Sequence, residues 1–218
     1  MFEGLKLEHW RSETDPDQIV ILTLDRAASS VNALSRAVLD ELARLIERVA
    51  IEKPRGVIIQ SGKPGSFVVG ADLKEFEGFA RDDTVHDAIR HGQRIFQDLA
   101  RLPCPTVAAI HGNCLGGGTE MALACDMRVA SKDSSTRIGL PEVQLGIQPG
   151  WGGTARLPRL IGTPEAMKLM LTGSPARADK ALRLGLVDKL ADADKLLEVA
   201  QGLVRHPRRR PLRQRALA

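Results

Sequence analysis

The stretch Leu115-Gly116-Gly117-Gly118-Thr119-Glu120 follows an apolar run and leads into a helical pattern that starts near Thr119. Three adjacent glycines carry a backbone entropy cost, which is tolerated where the chain turns sharply or approaches a ligand closely. The first N–H groups of a helix are unpaired and lie at the positive end of the helix dipole, so they suit a negatively polarised atom. The stretch therefore predicts a strand-to-helix junction with ligand-binding capacity.

The residues around the glycines indicate which ligand such a junction would bind. A Walker phosphate loop ends in Gly-Lys-Ser/Thr, and a dinucleotide loop has the spacing Gly-x-Gly-x-x-Gly; neither pattern is present. The Glu120 carboxylate would also repel a phosphate. A thioester oxygen beside an acid/base carboxylate fits better. From this segment alone, a tight junction with a solvated Glu120 is an equally good interpretation.

Strand and helix patterns alternate along the rest of the chain. Short apolar runs predict strands at residues 19–24, 57–59, 106–110 and 128–130. Apolar residues at helical spacing predict helices over 38–49, with Ser35 as the N-cap, and over 85–99, 164–172, 177–184 and 192–204. This alternation predicts an α/β fold with a largely parallel sheet and helices outside it.

The composition argues against several classes of protein. The 218 residues are 43% hydrophobic and 27% charged, which suits one soluble domain of moderate size. The three cysteines, Cys104, Cys114 and Cys125, match neither a disulfide framework nor a metal-ligand spacing, so we expect a reducing, cytoplasmic compartment. We expect neither a membrane span nor a secretory signal, since no apolar run approaches the roughly 18 residues that a span requires.

The formal net charge of +4 comes from the C-terminal tail. Residues 205–218 hold six arginines and no acid, so the rest of the chain has 25 basic and 27 acidic residues. We expect one domain over residues 1–204 and a tail over 205–218 that begins a connection to a further region. The tail has no aromatic residue on which bases could stack, which disfavours nucleic acid. A catalytically silent module whose basic tail binds RNA or a partner stays open as an alternative.

Two further segments contain groups that could take part in catalysis. Glu142 lies 22 residues after Glu120 and follows Pro141, which restricts the backbone of its loop. Gly70-Ala71-Asp72 follows an apolar run, and the Ala71 N–H could serve as a second donor to a ligand oxygen. Sequence spacing alone does not establish that these segments meet.

Taken together, the segments closely resemble the enoyl-CoA hydratase/isomerase (crotonase) family. The similarity extends over about residues 6–200, and the order and spacing of three motifs, at 67–73, 111–120 and 139–159, make it specific. Residues 171–173, 176–179 and 185–188 also look like the hydratase domain of the multifunctional fatty-acid oxidation α-subunit, in which a 3-hydroxyacyl-CoA dehydrogenase region follows.

The resemblance implies a fold and a set of site residues. The fold would be a crotonase-like spiral of ββα units with C-terminal helices, whose C-terminal part is truncated here. The N–H groups of Ala71 and Gly117 would bind the thioester oxygen. Glu120 would activate water and Glu142 would protonate C2. The expected CoA- and substrate-contacting residues are Asn32, Ala33, Leu34, Val69, Gly70, Asp72 and Gly116.

The resemblance also implies a reaction and partners. The reaction would be hydration of 2-trans-enoyl-CoA to 3-hydroxyacyl-CoA in fatty-acid β-oxidation, with Δ3–Δ2 enoyl-CoA isomerisation as the alternative. No metal or redox cofactor is expected: CoA enters with the substrate, and NAD would matter only if a dehydrogenase region follows. We expect acyl-CoA as the ligand, self-association through residues 177–204, and a thiolase β-subunit as partner of the full-length protein.

Overall fold

A computed structural model describes residues 4–72, 75 and 85–207, which form two β-sheets with helices around them. The larger sheet has the order β1-β2-β3-β5-β7-β10 and the smaller one has the order β4-β6-β8-β9. The strands are β1 (Trp10–Thr14), β2 (Ile19–Leu24), β3 (Gly56–Ser61), β4 (Ser66–Val68), β5 (Thr106–Ile110), β6 (Asn113–Leu115), β7 (Met127–Ser131), β8 (Arg137–Gly139), β9 (Ala176–Arg177) and β10 (Lys189–Ala191).

The helices connect and cover these strands. They are α1 (Arg36–Glu52), α2 (Val85–Ala100), α3 (Gly117–Ala124), α4 (Gly153–Ile161), α5 (Thr163–Thr172), α6 (Ala178–Leu184) and α7 (Leu196–Arg205), with short 3-10 helices at Glu142–Leu145 and Ala193–Lys195. The Ser35 hydroxyl accepts the Val38 N–H, so Ser35 caps α1 as its sequence position predicts. Among the described residues, no helix is both long and apolar enough to cross a membrane.

The central strands of the larger sheet are buried on both faces, which explains why β2 and β5 are continuous apolar runs, whereas the edge strand β1 is largely exposed. Strands β2, β3, β5, β7 and β10 pair in parallel, and only β1 is antiparallel to its neighbour in this sheet. Successive side chains of β3 point to opposite faces. Val57 and Ile59 therefore join the main core, while Ile58 packs with Leu203 and Val204 of α7.

These features confirm the predicted α/β fold with ββα units, a largely parallel sheet and C-terminal helices. Three boundaries differ from the sequence patterns. Residues 176–177 pair with β8, so the helix predicted over 177–184 begins at Ala178, and the segment 192–204 opens with a 3-10 turn. The helix after the glycines begins at Gly117. Leu73 and residues 208–218 of the tail lie outside the described residues.

A buried carboxylate joins the N-terminal segment to α1. Glu41 is 6% exposed and accepts the backbone N–H groups of Glu8, His9 and Trp10. One carboxylate can satisfy several donors because its two oxygens offer about four lone-pair sites. Glu41 therefore supplies acceptors that the antiparallel pairing of β1 does not provide.

Replacing Glu41 with Ala should lower the free energy of unfolding by about 2–3 kcal/mol, because three N–H groups then lose their acceptor in a largely buried region. Urea unfolding measures the change. Glu47→Ala on the same helix is the matched control, since Glu47 is exposed. A loss of less than about 0.5 kcal/mol in Glu41→Ala would match an ordinary surface substitution and contradict the anchoring role.

Candidate active site

The glycines of the strand-to-helix junction pack closely against neighbouring segments of the chain. Gly116 has φ +54°, a left-handed conformation that L side chains rarely adopt, and it is the N-cap of α3. A Cβ on Gly118 would lie 2.2 Å from the Val68 carbonyl oxygen, and one on Gly117 would lie 2.6 Å from the Trp151 ring. The junction thus brings β4, α3 and the turn at 151–153 together.

Two segments that contribute predicted site residues run side by side. Leu34 donates its N–H to the Gly70 carbonyl oxygen (2.8 Å), and Asp72 donates its N–H to the Leu34 carbonyl oxygen (3.2 Å). Since alternate peptide groups of an extended segment face opposite ways, the N–H of Ala71 points away from Leu34. A Cβ on Gly70 would lie 3.9 Å from the Gly117 nitrogen, so the two segments are neighbours at the junction.

The backbone N–H groups of Ala71 and Gly117 face this meeting point without an acceptor among the described residues. Gly117 is the first residue of α3, where the helix offers its N–H no partner. The pair is therefore suited to a ligand oxygen that carries partial negative charge.

Glu120 is held rigidly next to this pair. It is 2% exposed, and its Oε1 accepts the N–H groups of Trp151 (2.8 Å) and Gly153 (2.7 Å). Burial raises the pKa of Glu120 to about 7, and the charge of Glu142 adds to the increase. The two backbone donors and the Arg156 charge act in the opposite direction. A carboxyl group with this pKa can take up and release a proton near neutral pH.

Glu142 begins the 3-10 helix that follows Pro141. It is 9% exposed, and its Oε2 is buried without a hydrogen-bond partner in the described part of the chain. Burial raises its pKa as well. A Cβ on Gly116 would lie 3.3 Å from Glu142 Oε1, so this carboxyl group lies against the junction. Its unpartnered oxygen is available for water or substrate.

A mainly apolar cleft opens beside Ala71 and Trp151. Leu34, Leu39 and Ile89 contribute apolar walls to it. The Trp151 ring packs edge-on against Phe96, with ring centroids 5.7 Å apart. The cleft is suited to a hydrocarbon chain attached to whatever group occupies the junction.

The structure brings the predicted CoA-contacting residues Asn32, Ala33, Leu34, Val69, Gly70, Asp72 and Gly116 into one region, and their contacts with CoA stay a prediction. The Asn32 side chain is fully buried and donates to the carbonyl oxygens of Leu24 and Phe67, so it holds the loop in place. Asp72 forms an ion pair with Arg26.

Thiol chemistry finds less support at this site. Burial raises the pKa of the Cys114 thiol to about 12, so it is protonated at neutral pH and is a poor nucleophile. Over residues 4–72, 75 and 85–207, no group of three or more His, Cys, Asp or Glu residues is arranged to hold a metal ion.

Comparison with known proteins assigns this chain to a family. Residues 14–215 match the family model described as enoyl-CoA hydratase/isomerase. The chain belongs to that family. It is 46% identical over 197 residues to a fatty acid oxidation complex subunit alpha from Vibrio vulnificus (strain CMCP6). The match covers 90% of this chain and 28% of that relative, so the chain spans little more than a quarter of the relative's length.

Solved structures of the enoyl-CoA hydratase/isomerase family have the same fold. An enoyl-CoA hydratase from Bacillus anthracis is 37% identical with a TM-score of 0.84, over 90% of this chain and 75% of that one. An enoyl-CoA hydratase/isomerase from Xanthobacter autotrophicus Py2 is 28% identical with a TM-score of 0.82, over 92% of this chain and 73% of that one.

Sequence reasoning missed the groups that hold Glu120. Trp151 and Gly153 act through their backbone N–H groups, which no side-chain pattern reveals. The signal that could have indicated them is the pair Gly152-Gly153 at the start of α4, because helix N-termini present free N–H groups.

Proposed function

We propose that this chain hydrates 2-trans-enoyl-CoA thioesters to 3-hydroxyacyl-CoA. The observation that carries the proposal is the placement of two buried carboxyl groups, Glu120 and Glu142, beside the unpaired N–H groups of Ala71 and Gly117. Hydration requires both kinds of group: donors that stabilise an enolate oxygen, and acid/base groups that move protons to and from carbon and water.

In this mechanism the thioester oxygen accepts hydrogen bonds from Ala71 and Gly117. Electron density moves from the C2=C3 bond toward that oxygen, so C3 becomes electrophilic. The ionised Glu120 takes a proton from water as the water oxygen bonds to C3. The protonated Glu142 gives its proton to C2 as the enolate returns to a thioester. Proton exchange then returns Glu120 to its ionised form and Glu142 to its protonated form, so the net change is the addition of one water molecule across the double bond.

The pair of carboxyl groups favours hydration over Δ3–Δ2 isomerisation. Isomerisation moves a proton between C2 and C4 of the same substrate, which one carboxyl group can do alone. Hydration must position and deprotonate a water as well as protonate carbon. The unpartnered Oε2 of Glu142 and the firmly held Glu120 supply separate groups for these tasks.

The test is a hydration assay with a pH profile. Loss of the enoyl thioester absorbance should be seen with crotonyl-CoA or a longer enoyl-CoA. The rate should fall as pH drops through about 7, where Glu120 becomes protonated. The midpoint of this fall reports the coupled pair of Glu120 and Glu142 rather than Glu120 alone.

Both the 218-residue chain and a longer natural chain should be assayed. The proposal fails if folded protein of both lengths hydrates no enoyl-CoA. A 3-enoyl-CoA substrate assayed in parallel would reveal isomerisation. If only that substrate is turned over, the chain is an isomerase and not a hydratase.

We also propose a broader context for this reaction. The likeness to a fatty acid oxidation complex subunit alpha supports a role in fatty-acid β-oxidation, as the hydratase domain of a longer cytoplasmic enzyme. In that context residues 1–204 form the domain, 205–218 begin its connection to a dehydrogenase region that uses NAD, and a thiolase β-subunit is the partner. Self-association through residues 177–204 belongs to the same proposal.

A further inference from the structure

Arg156 contacts the turn that holds Glu120. This arginine lies on α4, and its Nη1 donates to the Trp151 carbonyl oxygen (3.0 Å) while its Nη2 donates to that of Phe96 (3.4 Å). The guanidinium therefore links the turn at 151–153 to the helix α2.

Gly152 lies between the two residues that donate to Glu120, and the Arg156 guanidinium packs directly on it. A Cβ on Gly152 would lie 1.9 Å from Arg156 Nη1, and the residue has φ +110°. Glu120 and Arg156 thus both contact one short turn, and the position of that turn sets both backbone hydrogen bonds to Glu120.

The charge of Arg156 has no carboxylate at ion-pair distance within the described part of the chain. Burial lowers its pKa, and the negative charge of Glu120 counteracts that effect. Arg156 correspondingly lowers the pKa of Glu120, whereas Glu142 raises it. The charges of Arg156 and Glu142 therefore have opposite effects on the pKa of Glu120.

Among the other ionisable groups on elements packed against α3, Arg159 of α4 lowers the pKa of Arg156 through its positive charge, and three others are paired or neutral. On α2, His91 pairs with Asp40. On β7, Arg128 pairs with Asp188. On β6, Cys114 is protonated at neutral pH, because burial raises its pKa to about 12.

We propose that Arg156 is a positioning residue of the hydration reaction: its guanidinium fixes the turn at 151–153, whose N–H groups hold Glu120, and its positive charge favours the ionised carboxylate. The proposal rests on the proposed function for its kinetic consequences. The effect on Glu120 itself does not depend on which reaction the site performs.

The test combines an NMR titration with kinetics in the variants Arg156→Met, Arg156→Gln and Arg156→Lys. Protein labelled with ¹³C at the glutamate carboxyl carbons is titrated without ligand, and the Glu120 signal is assigned by its loss in Glu120→Gln. The Glu120 midpoint should rise by about one pH unit in the Met and Gln variants, because they lack the cation and also weaken the support of the turn whose N–H groups hydrogen-bond to Glu120. It should stay within a few tenths of a unit in the Lys variant.

The kinetic expectation follows from the shifted midpoint. With a midpoint near 7 in the parent, a rise of about one unit should lower kcat about fivefold at pH 7, and the loss should shrink as pH rises. KM should change little, because Arg156 supports the turn and is not proposed to touch substrate. The Lys variant should lose rate at all pH values alike, since lysine lacks the planar fork that spans two carbonyl oxygens.

Arg159→Met is the matched control. Arg159 is exposed one turn further along α4, so this change removes the same charge without touching the turn. Its Glu120 midpoint should equal that of the parent.

An unchanged Glu120 midpoint in Arg156→Met overturns the proposal, even if activity is lost. If circular dichroism finds the Met variant unfolded, the Gln variant decides in the same way, because glutamine keeps one donor for the Trp151 carbonyl oxygen. Failure of the proposed function would appear separately, as absence of hydration in the parent protein.

Discussion

Replacing Glu120 with Gln should reduce the hydration rate about 10²–10⁴-fold while enoyl-CoA still binds. The glutamine oxygen can accept the N–H groups of Trp151 and Gly153 as the carboxylate oxygen does, so the turn should keep its position. The amide cannot take a proton from water and return it near neutral pH. The loss should therefore appear in kcat, with KM or the dissociation constant of a saturated acyl-CoA nearly unchanged.

Glu142→Gln should cause a loss of similar size, because C2 then lacks its proton donor. The double variant should be far less impaired than the product of the two single losses, since groups that act on one reaction as a unit are non-additive. Glu198→Gln on α7 is the control for loss of a carboxylate, as Glu198 is exposed. Normal hydration by Glu142→Gln together with an inactive Glu120→Gln would disprove the paired mechanism and leave Glu142 as a loop residue.

The sequence predicts the main sheet well because its central strands are buried on both faces. Four of the strands of the larger sheet, β2, β3, β5 and β7, match continuous apolar runs, and their parallel pairing follows from the helices between them. The strands of the smaller sheet have two or three residues each. Segments this short carry no period of hydrophobicity, and tertiary pairing alone makes them strands.

Some residues of the site are likewise recognisable from the local sequence, whereas others depend on how the chain folds. The glycine-rich junction and Glu120 stand out locally, because adjacent glycines before a helix indicate a sharp turn or a close backbone approach. The approach of Glu142 to that junction depends on how the loop at 140–153 folds back over α3, and no spacing encodes it. Arg156 likewise acts through a carbonyl oxygen five residues earlier in the chain, which a search for paired charges does not find.

Testing the backbone N–H of Ala71 as a hydrogen-bond donor requires a change in the main chain, because a side-chain substitution leaves this N–H in place. An ester in place of the peptide bond between Gly70 and Ala71, introduced by protein ligation, removes the Ala71 N–H with almost no change in shape. We expect kcat to fall about 10²–10³-fold, because the enolate oxygen loses one of two donors that stabilise it more than the ground-state carbonyl. Binding of a saturated acyl-CoA should weaken far less.

The ester carbonyl is also a weaker acceptor for the Leu34 N–H, so unfolding in urea must be measured alongside the rate. An ester at Ala28, in an exposed turn, controls for the ligation itself. A small loss of stability cannot by itself cause the expected fall in kcat, because a protein that stays folded at the assay temperature keeps its number of active sites. If the Ala71 ester hydrates enoyl-CoA within about fivefold of the parent, this N–H does not bear the developing charge, since a single oxyanion donor is worth about 3–4 kcal/mol elsewhere. Gly117 would then be the sole backbone donor of the mechanism, and the side-by-side course of residues 32–34 and 69–72 would serve to shape the cleft.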